Sequence, residues 1–119
     1  MGLDVSHDCY SGTCTSFHYW RKRLAAAAGI DLNAMRGFGG EVAWESLAPD
    51  VLHVLLNHAD NEGEIEVEHL LPLAARLDEL GPLITSDDDT RVDHLRTRAR
   101  RFADGLRLAA SRGERVEFE

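Results

Sequence analysis

Six apolar residues, Val92, Leu95, Ala99, Phe102, Leu106 and Ala109, step by alternating threes and fours. Side chains at this spacing fall on one face of an α-helix, and that face must be buried against something. Ser86 and the run Asp87-Asp88-Asp89 start such a helix well, since capping oxygens and carboxylates satisfy its exposed N–H groups. Gly113 ends it. Beyond it Val116 and Phe118 alternate with Glu117 as a short strand.

The opening residues supply a partner for that strand. Leu3 and Val5 alternate with Asp4 and Ser6, the pattern of a half-buried strand, and the simplest closure pairs the two ends of the chain. Residues His7 to Cys14 read as a turn, with Asp8, Ser11 and Gly12 in it. Thr13, Thr15 or Ser16 then caps a helix whose core face is Phe17, Trp20, Leu24 and Ala27 or Ala28, with Gly29 as its stop. Arg21, Lys22 and Arg23 lie beside this stripe. Gly37, Gly39 and Gly40 mark a tight connection, and Val42 and Trp44 suggest another short strand. A second helix is expected from Pro49 to about His58, burying Leu52, Leu55 and Leu56, with Asp50 at its positive end. A third carries Leu70, Leu73, Leu77 and Leu80. Pro72 is tolerable only near its start, which puts that start close to His69, and Gly81-Pro82 closes it. The fold expected is mainly α (α+β), a single domain over residues 1–119, with about four helices and a two- or three-stranded sheet joining its terminal strands.

The chain has 119 residues, 21 acidic against 13 basic, and a net charge of −8. That balance repels phosphate overall and argues against a duplex nucleic acid partner. A local arginine cluster still suits a small anion. Asp4, His7 and Asp8 interrupt the first residues, and the apolar run Leu24–Ile30 is too short for a membrane span. A cytoplasmic protein without a membrane partner is expected. The opening Met1-Gly2-Leu3-Asp4-Val5-Ser6 fits the loose myristoylation pattern, but a strand beginning there is the plainer account.

Three constellations bear chemistry. Around Gly63, a calcium-loop register puts His58 first, Asp60 third, Glu62 fifth and His69 twelfth. Histidine replaces the acid needed at both ends, so the segment reads as a joint between helices, with Asp60 and Glu62 as weak metal candidates. Asp60, Glu62, Glu64, Glu66 and Glu68 also occupy every second position. In an extended backbone they form an acidic face, with Gly63, Ile65 and Val67 toward the core, and Arg96, Arg98, Arg100 and Arg101 are available to neutralise it. At the N-terminus His7, Cys9, Cys14 and His18 have the residue types of a zinc site without the usual knuckle spacing. The same region suits an anion pocket. Ser11, Gly12 and a helix N-terminus near Thr15 would offer N–H groups, Arg21 would offer charge, and His18 and Tyr19 would stack or hydrogen-bond there.

The string Gly2-Leu3-Asp4-Val5-Ser6-His7-Asp8-Cys9-Tyr10-Ser11-Gly12, the Phe17…Trp20-Arg21 that follows, the block from Pro49 to His58 with its Gly63-Glu64-Ile65 turn, and the closing Val116-Glu117-Phe118 resemble a family of short bacteriophage and actinobacterial proteins. The resemblance covers most of the chain and implies a compact accessory protein. Cys14 and Thr15 depart from it, standing where a more hydrophobic or aromatic pair belongs, and this weakens the zinc alternative. Small phage proteins often act by binding, some by sequestering nucleotide signals of host immunity. By that analogy the expected function is non-enzymatic binding of an anionic nucleotide or a host protein. The ligand would be held by His7, Asp8, Ser11, His18, Arg21 and His58, with no cofactor. The alternatives are a metal-assisted hydrolase using histidine and carboxylate residues, and an acidic inhibitor of a host protein.

Overall fold

The computed structural model of the chain describes residues 2–47, 50–58, 63–85 and 89–119. Strand β1 (Gly2–Val5) turns back into β2 (Tyr10–Thr13), which leads directly into helix α1 (Cys14–Ala27). Short 3-10 turns at Leu32–Ala34 and Trp44–Ser46 precede the five-residue helix α2 (Leu52–Leu56). Strand β3 (Gly63–Ile65), helix α3 (Val67–Leu80), helix α4 (Asp89–Arg112) and strand β4 (Val116–Phe118) complete the order. The fold is mainly α within an α+β arrangement. Its four helices lie with an antiparallel sheet of order β2-β1-β4-β3, which joins the N- and C-terminal strands as the alternating patterns imply.

The sheet has four strands rather than two or three. Ser11 and Gly12 are turn formers by composition, yet both sit in β2, opposite Asp4 and Leu3 of β1. Pairing with an existing strand outweighs local turn preference here. The turn shrinks to His7 and Asp8, whose φ angles are 62° and 59°, and Cys9 N–H donates to Ser6 O at 3.3 Å. Two consecutive positive φ angles are the signature of a type I′ hairpin turn, normally Asn-Gly, and neither residue is glycine.

β3 is the other unexpected strand. The extended alternation of the acidic segment holds only through Ile65, which is buried opposite Val116. Val67 opens α3 and is 42% exposed, so it is not a core residue. Helix α3 therefore starts two residues before His69, and Pro72 falls within it, where it withdraws an amide donor from the Glu68 carbonyl. Val42 makes only an isolated bridge with Met35, and Trp44 begins a 3-10 turn, so no strand forms there. Pro49, Ser86, Asp87 and Asp88 lie outside the described residues. Asp50 caps α2 by accepting from Leu52 N–H at 2.9 Å, and α2 stops at Leu56, short of His58.

The helical stripe of α4 performs as its spacing requires. Leu95, Ala99, Phe102, Leu106 and Ala109 are buried, and only Val92 is partly exposed. Phe102 stacks on Trp20 of α1 at 5.3 Å and on Phe17 at 6.3 Å, and Phe17 also meets Phe118 of β4 at 5.9 Å. Each such ring contributes about 2–3 kcal/mol of burial. Gly105 stands within the unbroken helix for a packing reason. A Cβ there would lie 2.5 Å from Cys9 Sγ and 2.8 Å from His7 O. The missing side chain lets the hairpin turn rest directly on α4.

Candidate functional site

The polar side of α4 carries Arg91, His94, Arg98 and Arg101, spaced three, four and three apart, so they form one ridge. This ridge faces β2 and the start of α1. Thr13 caps α1, its Oγ1 accepting from Ser16 N–H at 3.0 Å, and no acidic residue occupies the first turn. The positive end of the helix dipole is thus left without an internal counter-charge. Between ridge and helix lies a cavity of about 590 Å³, lined by Thr15, Ser16, Tyr19, Arg91, His94, Leu95 and Arg98. A smaller one of about 90 Å³, lined by Tyr10, Ser11, Arg98 and Arg101 among others, shares His94 and Arg98 with it. Together they make a groove of the size that holds small molecules.

Two of the groove's cations, Arg98 and Arg101, are held by neutral groups among the described residues. Arg98 lies 4.8 Å above the Tyr10 ring, donates to Ser16 O at 3.5 Å and donates to His94 Nε2 at 3.1 Å. Arg101 donates to Asp8 O at 3.3 Å. Among the described residues neither makes an ion pair with a carboxylate. Arg76, Arg107 and Arg115 differ: they meet Asp50 and Glu79, Asp78 and Asp104, and Glu64 and Glu117. Arg91 sits 5.7 Å above the Tyr19 ring. Burial pushes the Tyr10 phenol up from its ordinary pKa despite the opposing charge of Arg98. It stays a neutral donor, to Thr13 O at 2.7 Å.

The residues singled out from the sequence scatter over four places. Ser11 lies in the small cavity, its hydroxyl donating to Asp4 at 2.8 Å. Asp8 contributes its carbonyl to Arg101 beside it. His18 stacks face to face on Phe38 at 6.0 Å. Arg21 and His58 do meet, but inside the protein. Arg21 is 2% exposed and donates to the carbonyls of Leu55, Leu56 and His58, the last at 2.6 Å. This geometry ties α1 to the C-terminal end of α2, where carbonyls lack helical donors. His58 stacks on Phe118 at 4.1 Å, with Nε2 beside Glu64 O at 3.2 Å. His7 belongs to a second groove with Ser6 and Glu114.

Metal binding fares differently. Asp60 and Glu62 lie outside the described residues. Among the described residues no three His, Cys, Asp or Glu side chains gather around a common point, so His7, Cys9, Cys14 and His18 do not converge. Burial, then the charge of Asp8, pushes the Cys9 thiol up to about 12, which disfavours the thiolate that zinc requires. Among the described residues, the acidic segment makes no ion pair with the arginines of α4 named above: Glu64 pairs with Arg115 at 3.4 Å, and Arg96 donates to Ile84 O. No helix among the described residues is long and apolar enough to cross a membrane.

Arg91, His94, Arg101 and Tyr10 complete the groove and were not expected in a site, whereas Tyr19 was read into the anion pocket. Their signal is the three–four–three spacing of α4's cations, which repeats the period of its core stripe on another face. No family model, curated protein or solved structure matches this chain.

Proposed function

We propose that the protein is a binding protein whose groove between α1 and α4 holds, without transforming it, a small phosphorylated ligand of the nucleotide type. The observation that carries this reading is the ridge Arg91–His94–Arg98–Arg101. In a chain of net charge −8, Arg98 and Arg101 face a cavity with no carboxylate partner among the described residues. Guanidinium groups in this state recognise phosphate by charge-assisted, bidentate hydrogen bonds. Tyr19, half-buried at the cavity wall, adds an aromatic edge against which a base packs. Thr15, Ser16 and the first turn of α1 add hydroxyl donors and dipole.

Sequestration of a nucleotide signal in a host cytoplasm is the biological form of this reading that the family resemblance implies. A metal-assisted hydrolase draws no support from the described residues, where no metal-ligating group assembles. Calorimetric titration with a panel of cyclic nucleotides and ADP-ribose-type compounds tests the proposal. At least one is expected to bind with micromolar affinity, and Arg98→Glu abolishes that heat. A panel giving no heat at micromolar protein overturns it.

A further inference from the structure

The β1–β2 turn carries a second arrangement that the groove above does not use. Ser6 Oγ lies 2.8 Å from His7 Nδ1, and His7 Nε2 lies 3.0 Å from Glu114 Oε1. The Ser6 oxygen accepts the Glu117 backbone N–H at 2.9 Å. An ionised Glu114 carboxylate can only accept, so a neutral His7 ring carries its proton on Nε2 and leaves Nδ1 to accept from the Ser6 hydroxyl. Hydroxyl, imidazole and carboxylate stand in one hydrogen-bonded line, the order of nucleophile, base and orienting acid. The line opens onto a cavity of about 430 Å³ that Ser6, His7, Glu114 and Arg115 help to form.

Two features of the backbone set this line in place. His7 and Asp8 hold left-handed angles without being glycine, a cost of about 1–2 kcal/mol each that a plain hairpin avoids with Asn-Gly. Strain of this kind concentrates where a side chain must be aimed. Gly105 of α4 leaves the space into which the His7 carbonyl fits, so the turn is seated rather than loose.

We propose that Ser6 is the nucleophile of a second, acyl-transfer site, with His7 as its base and Glu114 as a positioning residue. As Ser6 Oγ bonds to the carbonyl carbon of an ester, His7 Nδ1 takes the hydroxyl proton. The bond from that carbon to the alcohol oxygen breaks, and Nδ1 returns its proton to the departing oxygen. Water then adds to the acyl-Ser6 carbonyl, losing a proton through Nδ1 to Ser6 Oγ as the acid leaves. Ester and water become acid and alcohol, with nothing oxidised or reduced. Glu66, Glu114 and Glu117 outnumber Arg115 around the cavity, so the substrate class is a neutral or cationic ester, not a phosphorylated one.

The test uses the wild-type protein first. A fluorophosphonate probe is added, and peptide mass spectrometry locates the adduct. Labelling at Ser6 is expected, together with hydrolysis of p-nitrophenyl acetate above the buffer rate. Ser6→Ala abolishes both, and His7→Gln lowers hydrolysis about 100-fold, the size of a lost general base. Glu114→Gln lowers kcat with KM unchanged, which a merely structural role would not produce. Melting temperatures of the variants confirm that they fold. Wild-type protein that takes no adduct at Ser6 overturns the proposal, as does Ser6→Ala hydrolysing at the wild-type rate. Neither result touches the nucleotide groove, whose residues are separate.

Discussion

Two grooves flank the same hairpin, one along α4 and one beyond its end, yet their charges are opposite in character. Along the N-terminal half of α4, Arg98 and Arg101 lean on a ring, an imidazole and backbone carbonyls. Past the end of α4, Arg115 is shared between Glu64 and Glu117, at 3.4 and 3.8 Å, in a cavity rich in carboxylates. A count of charges would not separate them. What separates them is whether each guanidinium already has an anion, since a paired cation offers a ligand far less. The net charge of −8 describes the whole molecule and says nothing about either groove.

The comparison extends to Arg21, a third kind of cation, buried and committed to α2. Arg21→Met is expected to lower stability by about 3 kcal/mol, because the carbonyls of Leu55, Leu56 and His58 lose a charged donor. Urea denaturation measures this. A loss of ligand affinity without a loss of stability would instead place Arg21 in the site. Arg98→Glu with Arg101→Glu is expected to weaken nucleotide binding about 100-fold, or about 2.7 kcal/mol, while fluorophosphonate labelling of Ser6 continues at the wild-type rate. Equal loss of both would show that the grooves are not independent.

Gly105→Ala strikes the element they share. Its Cβ must displace Cys9 and the His7 carbonyl, so stability should fall by about 2 kcal/mol and both grooves should be damaged together. Alkylation of Cys9 at pH 8 reports the displacement. The thiol is buried and its pKa is pushed up to about 12, so it resists in the wild type and reacts faster in the variant. The smallest effect concerns pH. Burial tends to raise Asp50, but its hydrogen bonds with Arg76 and Leu52 prevail and hold it below the ordinary carboxylate range. The stability it contributes is present above the unfolded value, about 3.9, and is lost as pH falls through the lower folded value. Asp50→Asn should therefore flatten the acid limb of a melting-temperature profile below about pH 4 and leave both grooves unchanged.

The sequence makes the helical part of this structure legible because burial has a period. Leu95, Ala99, Phe102 and Leu106 announce a face, as do Leu52, Leu55 and Leu56, and alternation at Leu3–Val5 and Val116–Phe118 announces the closing strands. Short-range preference misleads where pairing decides, as at Ser11 and Gly12 in β2. Length misleads at Val67, whose alternation with glutamates continues past the point where the backbone coils. The sites are harder still. The cationic ridge was visible in the spacing of α4, but not that Tyr10 and the start of α1 lie opposite it. Arg21 beside an apolar stripe reads as exposed, and only the unsatisfied carbonyls of α2, supplied from 34 residues away, explain its burial.

His7 and Glu114 are separated by 107 positions. Bringing such distant residues together costs about 4 kcal/mol of chain entropy, beyond a constant. That term must be overcome before their hydrogen bond returns anything. The line from Ser6 to Glu114 thus exists only in molecules whose sheet has closed between β1 and β4. Refolding followed by its arrival reports the closure of the two ends of the chain, whereas helix α4 reports only local order.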